Sequence, residues 1–237
     1  MPKDTNSVND EIRNERRKVL ENMDTKEKIK YFVGYYKWHA IFTILGLIFV
    51  ISFIVSIVTA KDVKFQYMVV NGNTLETDYE AILSGFDETL DYDRKKEECK
   101  VEYGLAVDPE DGSDYGRASI QKIFMSVMTG DVNVILCDDV FMKFTRAQDT
   151  GANLGEVLPK EMLEKYEDKL VYYDFPNEEC GDNPENEGRY EAVCIDVSDF
   201  NKIKESNMFP NGEAYAFIVI SSKDIPLGVE FLKYLDE

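Results

Sequence analysis

Residues 40–60 read AIFTILGLIFVISFIVSIVTA, 21 positions without one charge, 14 of them Ile, Leu, Phe or Val. As a helix rising about 1.5 Å per residue, the stretch is roughly 31 Å long, the thickness of a bilayer's hydrocarbon core. At about −0.3 to −0.6 kcal/mol for each large apolar residue, insertion is favourable by about 6 kcal/mol before smaller polar costs. A core helix of a soluble protein seldom runs that far without a charge. A membrane-spanning helix over 39–61, touching lipid through 40–60, is therefore expected.

The flanks set its direction. The 237-residue chain has 46 acidic and 27 basic side chains, for a net charge of −19. Residues 1–39 hold 9 basic and 7 acidic side chains, whereas residues beyond 60 hold 18 and 39. Lys26, Lys28, Lys30 and Lys37 are interleaved with Tyr31, Phe32, Tyr35, Tyr36 and Trp38 before the apolar run. Lysines favour the cytoplasmic side and the aromatics suit the headgroup layer. The pattern predicts a single-pass protein of the cell membrane, its N-terminus inside and its C-terminal domain outside the cytoplasm. Val58-Thr59-Ala60 resembles a signal-peptide cleavage site, but the apolar run exceeds the usual 7–15 or so residues and its leader is too long. An uncleaved anchor is the expectation.

Residues 1–38 read as a cytoplasmic helical arm. Val8, Ile12, Val19, Leu20 and Met23 fall loosely on one face, and Asp24 with Glu27 fits a capping box opening a juxtamembrane helix. Its apolar face would carry Ile29, Phe32, Val33 and Tyr36.

Residues 62–237 are enough for one domain with its own core. Strand signals over 64–71, 99–107 and 132–137 alternate with helical periodicity over 75–90 and from Ser113 or Asp114 to Gly130. Further helices are expected over 140–147 and 159–169, strands over 171–175, 189–197 and 214–221, and a last helix over 226–235. Strand–helix–strand repeats with long crossovers predict an α/β domain, a mainly parallel sheet flanked by helices.

Three segments carry a family resemblance. Gly130-Asp131-Val132-Asn133-Val134-Ile135-Leu136 resembles the strand entry of type II extracytoplasmic solute-binding proteins. Leu154-Gly155-Glu156-Val157-Leu158-Pro159 is similar to a short segment preceding a helix in that family, and 214–235 to its terminal strand and helix. The resemblance implies an α/β recognition domain that takes a small solute. The chain departs from the family in its reduced second lobe and in having an apolar helix where a lipid-bearing cysteine is usual.

In a doubly wound sheet, ligands meet the carboxyl ends of strands where the strand order reverses. That rule nominates Asn71, Gly72 and Asn73, then Asp108, then Asp138 and Asp139, as hydrogen-bonding groups for a small solute, a cationic one included. The same residues also fit a turn at 71–73 and a helix cap at Asp138 or Asp139. Acidic stretches at 87–93, 108–114 and 174–187 lack a calcium-loop pattern, and no metal or cofactor is expected. Neither a G-x-S-x-G, a P-loop nor an H-E-x-x-H motif is present, and the one histidine, His39, borders the apolar run. The acidity disfavours nucleic acid. The expectation is therefore a non-enzymatic recognition domain for a small molecule or membrane-protein partner. Its alternative is an accessory component of an envelope complex that binds no ligand. Cys180 and Cys194 bracket an Asn/Pro/Gly-rich loop and are candidates for a disulfide. Cys99 and Cys137 are expected as buried thiols, too far apart to join.

Overall fold

The computed structural model describes residues 10–15, 17–18, 24–110, 112–148, 150–175 and 189–237. They divide between two units, Met1–Ala60 and Lys61–Glu237. Most of the expected arm face (Val8, Val19, Leu20 and Met23) and the 176–188 loop lie outside the described residues; residues 10–15 are helical.

Helix α1 spans Thr25–Val58, 34 residues without a break. It starts where expected: the Asp24 carboxylate accepts from the Thr25 amide at 2.7 Å, and the Asp24 amide donates to Glu27 at 3.3 Å. Within it, Tyr36–Val58 is long and apolar enough to cross a membrane, with a mean hydropathy of 2.9. Thr43 and Thr59 turn their hydroxyls back onto the carbonyls of His39 and Val55, at 2.8 and 2.7 Å. Each hydroxyl is thereby satisfied within the helix.

The second unit is α/β. In chain order it comprises β1 (Asp62–Val70), α2 (Tyr79–Thr89), β2 (Glu97–Leu105), α3 (Asp114–Thr129), β3 (Val134–Cys137), α4 (Asp139–Thr145), α5 (Leu154–Val157) and α6 (Lys160–Lys165). There follow β4 (Leu170–Phe175), β5 (Arg189–Asp196), α7 (Asn201–Ser206), β6 (Tyr215–Ile218) and α8 (Ile225–Asp236). The sheet order is β2-β1-β3-β6-β5-β4. β1 is parallel to β2 and to β3, as the helical crossovers predict. The other three pairings are antiparallel, so the sheet is mixed rather than mainly parallel. A parallel return needs a crossover that packs a helix on the sheet; between β5 and β6 the chain forms only the six-residue α7, and β6 enters reversed.

Alternation along the strands builds two apolar layers. Phe65, Tyr67 and Val69 of β1 face α2 and α8, joined by Val134, Leu136 and Ile218. Met68 and Val70 face the opposite way with Ile135, Cys137 and Phe217, toward Ile123 of α3 and Phe141 of α4. Covered on both sides, β3 is wholly buried, which is why its sequence is continuously apolar. α3 has the expected ends: the Ser113 hydroxyl caps it, and Gly130 closes it at φ 74°. A β-carbon at Gly130 would sit 2.7 Å from the Ser221 carbonyl, so only glycine fits.

Asn133 ties the sheet to α8. Its Oδ1 accepts from the Gln66 amide at 2.9 Å, while its Nδ2 donates to the Ser222 hydroxyl at 2.9 Å and the Asp224 carbonyl at 3.0 Å. At the other end of α8, Asp236 accepts from Lys165 at 2.5 Å and from the Tyr166 hydroxyl at 2.7 Å. Partial burial pulls the Asp236 carboxyl upward, but these two hydrogen bonds outweigh it and hold the carboxyl below its ordinary range. The unfolded carboxyl therefore protonates first as pH falls. The stability it contributes is complete above about pH 4 and lost as pH drops through the lower folded value. In urea titrations between pH 6 and 3, D236N should show a shallower acid loss than the parent chain; parallel curves would contradict this.

Candidate functional site

The carboxyl ends of β1 and β3 lie side by side, with Val70 paired to Cys137, and β2 lies on the far side of β1. The chain passes from β1 outward to β2 and then back across to β3, so the order reverses between β1 and β3. At this point the backbone of Asn71 turns left-handed, at φ 61°. That conformation is several-fold enriched in Asn among non-glycine residues. Its amide donates to Leu105 at 2.8 Å. Its side chain accepts from the Val107 amide at 2.7 Å and donates at 2.9 Å to both the Val107 carbonyl and Asp138. Asp138 also caps α4, accepting from the Phe141 amide at 2.9 Å. One asparagine thus joins the ends of all three parallel strands.

A cleft opens on either side of this Asn71–Asp138 pair. The first, of about 370 Å³, is lined by Asn71, Asn73, Glu76, Asp138, Phe209 and Glu213, with Leu75 at its lip. Leu75 is 94% exposed. The second, of about 200 Å³, is lined by Asn71, Val107, Asp108, Ser113, Tyr115 and Asp138. Among the described residues, neither lining contains a lysine or arginine. The first holds three carboxylates, an amide-rich wall and an aromatic ring. The Tyr215 phenol, at the start of β6, is pushed up to about 12 by burial, then by Asp196, Glu213 and Asp139. This edge of the sheet therefore suits cations and hydroxyl or amide groups, and repels anions.

Of the six residues nominated from sequence, five line the clefts. Asn73 accepts from the Leu75 amide at 3.1 Å and donates to Glu76 at 3.4 Å, closing the turn. Asp108 accepts from the Glu110 amide at 2.9 Å. Asp139 lines neither cleft and pairs with Lys143 at 2.5 Å along α4. The turn and cap expected at these positions are present, and the same groups wall the clefts. Phe209 and Glu213 went unforeseen because they precede β6. The carboxyl-end rule passes over them, yet an antiparallel β6 brings its amino end to this edge, Tyr215 facing Cys137. The Gly212-Glu213 turn before an apolar run was the available signal.

Among the described residues, the three thiols are poor nucleophiles. Burial pushes Cys99 up to about 11 and Cys194 up to about 12, and it raises Cys137 as well. Cys137 is buried as expected, whereas Cys99 is only half-buried, and both are free. They face Val70 and Phe65 of β1 respectively, five residues apart, or about 16 Å along the strand. Cys194 is buried in β5, and Cys180 lies outside the described residues. Comparison with protein-family models, curated proteins and solved structures finds no match to this chain.

Proposed function

We propose that the protein is a single-pass, membrane-anchored recognition module whose acidic α/β domain lies outside the cytoplasm and binds a small polar or cationic solute. The observation that carries this reading is the pair of clefts at the reversal of strand order, walled by Asn71 and Asp138. Recognition is non-covalent: the amides of Asn71 and Asn73 and the carboxylates of Glu76, Asp138 and Glu213 offer hydrogen bonds, and Phe209 offers an apolar wall. The resemblance to type II solute-binding proteins supports the same reading, as does the placement of uncharged and acidic sequence about α1. Proteolysis of sealed cells tests the topology: external protease should remove the C-terminal domain, and its survival would overturn the orientation.

Ligand binding is tested by thermal unfolding of the full chain in nanodiscs against a panel of small amines, amino acids, sugars and divalent cations. A ligand at a hundredfold its Kd stabilises by about 2.7 kcal/mol, which corresponds to about 5–10 °C at this domain's size. E76Q/E213Q should abolish that shift for a cationic binder. An unchanged melting temperature across the panel would overturn the solute-binding reading.

A further inference from the structure

α1 is longer than a bilayer requires. Its 34 residues extend about 51 Å at 1.5 Å each, against a hydrocarbon core of about 30 Å. Roughly 20 Å of helix therefore continues beyond the apolar run, chiefly at the N-terminal end, where the charges begin. At about 100° per residue, Lys30 and Lys37 lie within about 20° of one another on the same face, roughly 10 Å apart along the axis. The Lys37 ammonium sits 5.8 Å from the centre of the Trp38 ring, and both side chains are exposed.

The local carboxylates are already engaged. Asp24 and Glu27 hydrogen-bond to the helix's own first backbone amides, and among the described residues Lys30 and Lys37 make no ion pair. The other side of the apolar run differs: Lys61 donates to the Arg94 carbonyl at 2.6 Å and Lys64 pairs with Asp224 at 3.3 Å. Uncommitted positive charge therefore collects at one rim of the span. Lys37 is three residues before Ala40, inside the headgroup layer of a membrane that α1 crosses, and Lys30 is within about a Debye length of it.

We propose that Lys30 and Lys37, with the Trp38 indole beside them, form a docking face for anionic phospholipid headgroups. The proposal rests on the reading of α1 as a membrane span. A lysine near an anionic surface contributes about fivefold to binding, and the indole is amphipathic in the way that layer favours.

Trp38 is the only tryptophan in the chain, so its fluorescence reports on this rim without a label. The full chain is reconstituted in phosphatidylcholine vesicles. Equal mole fractions of phosphatidylglycerol or phosphatidylcholine, brominated near the top of the acyl chain, are then added. Trp38 should be quenched by both lipids, with an apparent preference for the anionic one of about fivefold or more. In K30Q/K37Q the preference should fall to about one while quenching by phosphatidylcholine persists. K204Q, which removes one charge from α7, should leave it unchanged. Equal quenching of the parent chain by the two lipids, or a preference that survives in K30Q/K37Q, would overturn the lysine face and leave the span standing. Absence of quenching by either lipid would overturn the span and this proposal with it.

Discussion

Replacing Phe231 by alanine should lower the free energy of unfolding by about 3–5 kcal/mol, the range for a buried phenylalanine whose cavity cannot collapse. Phe231 is fully buried on α8. Its ring lies 4.9 Å from Phe65, 4.8 Å from Tyr67 and 5.0 Å from Phe86 between centroids. Those rings belong to β1 and α2, so one side chain fastens the terminal helix to the sheet and to the first crossover. Ring pairs at such separations add about 0.5–1.5 kcal/mol beyond their buried area. A domain of ordinary stability has about 5–15 kcal/mol in total, and F231A should therefore show a large fall in urea midpoint at nearly unchanged slope. A loss under about 1 kcal/mol would mean that α8 does not depend on this contact.

Asn133→Leu should be the next most damaging change, at about 3 kcal/mol. The two side chains share heavy-atom count and branching, so the lost hydrogen bonds are the first cost, with the greater bulk of leucine added at a buried position. Leucine would leave the Gln66 amide without its acceptor and the Asp224 carbonyl without its donor, next to fully buried strands. Each buried polar group stranded in this way costs about 1–3 kcal/mol. S222A removes one partner at the margin of the same cluster and should cost about 1 kcal/mol. Hydrogen exchange localises the effect: the Gln66 amide should lose protection in N133L and keep most of it in S222A. Equal protection in both variants would show that Asn133 does not hold this edge.

Much of the architecture was legible because local chemistry and tertiary environment agree. β1 alternates between two apolar layers, β3 is apolar throughout because it is covered twice, and α3 carries its own start and stop in Ser113 and Gly130. The 159–169 helix was less legible. It divides at Tyr166 into α6 and a 3₁₀ turn, Glu167–Lys169. α5 and α7 have four and six residues, too few to display an apolar period. The direction of β6 was not legible, since the 214–221 run has the same composition whichever way it enters the sheet. That single reversal explains why Asn71, Asn73, Asp108 and Asp138 were within reach of sequence reasoning and Phe209 and Glu213 were not. Asp139 lies outside both clefts for a different reason. Its neighbour Asp138 takes the cap, and one residue further along a helix the side chain has turned about 100° away.

β2 is the outermost strand on its side of the sheet, and an outermost strand is ordinarily a template on which other chains can polymerise. Four of its nine residues, Glu97, Glu98, Lys100 and Glu102, are charged. Lys100 pairs with Glu98 at 2.8 Å, and Lys122 of α3 reaches Glu102 at 2.5 Å. Gly104 departs from extended backbone at φ 75°, and the ladder to β1 slips twice along its length. An incoming strand would meet interrupted spacing and net negative charge, so cross-β stacking is discouraged along this rim.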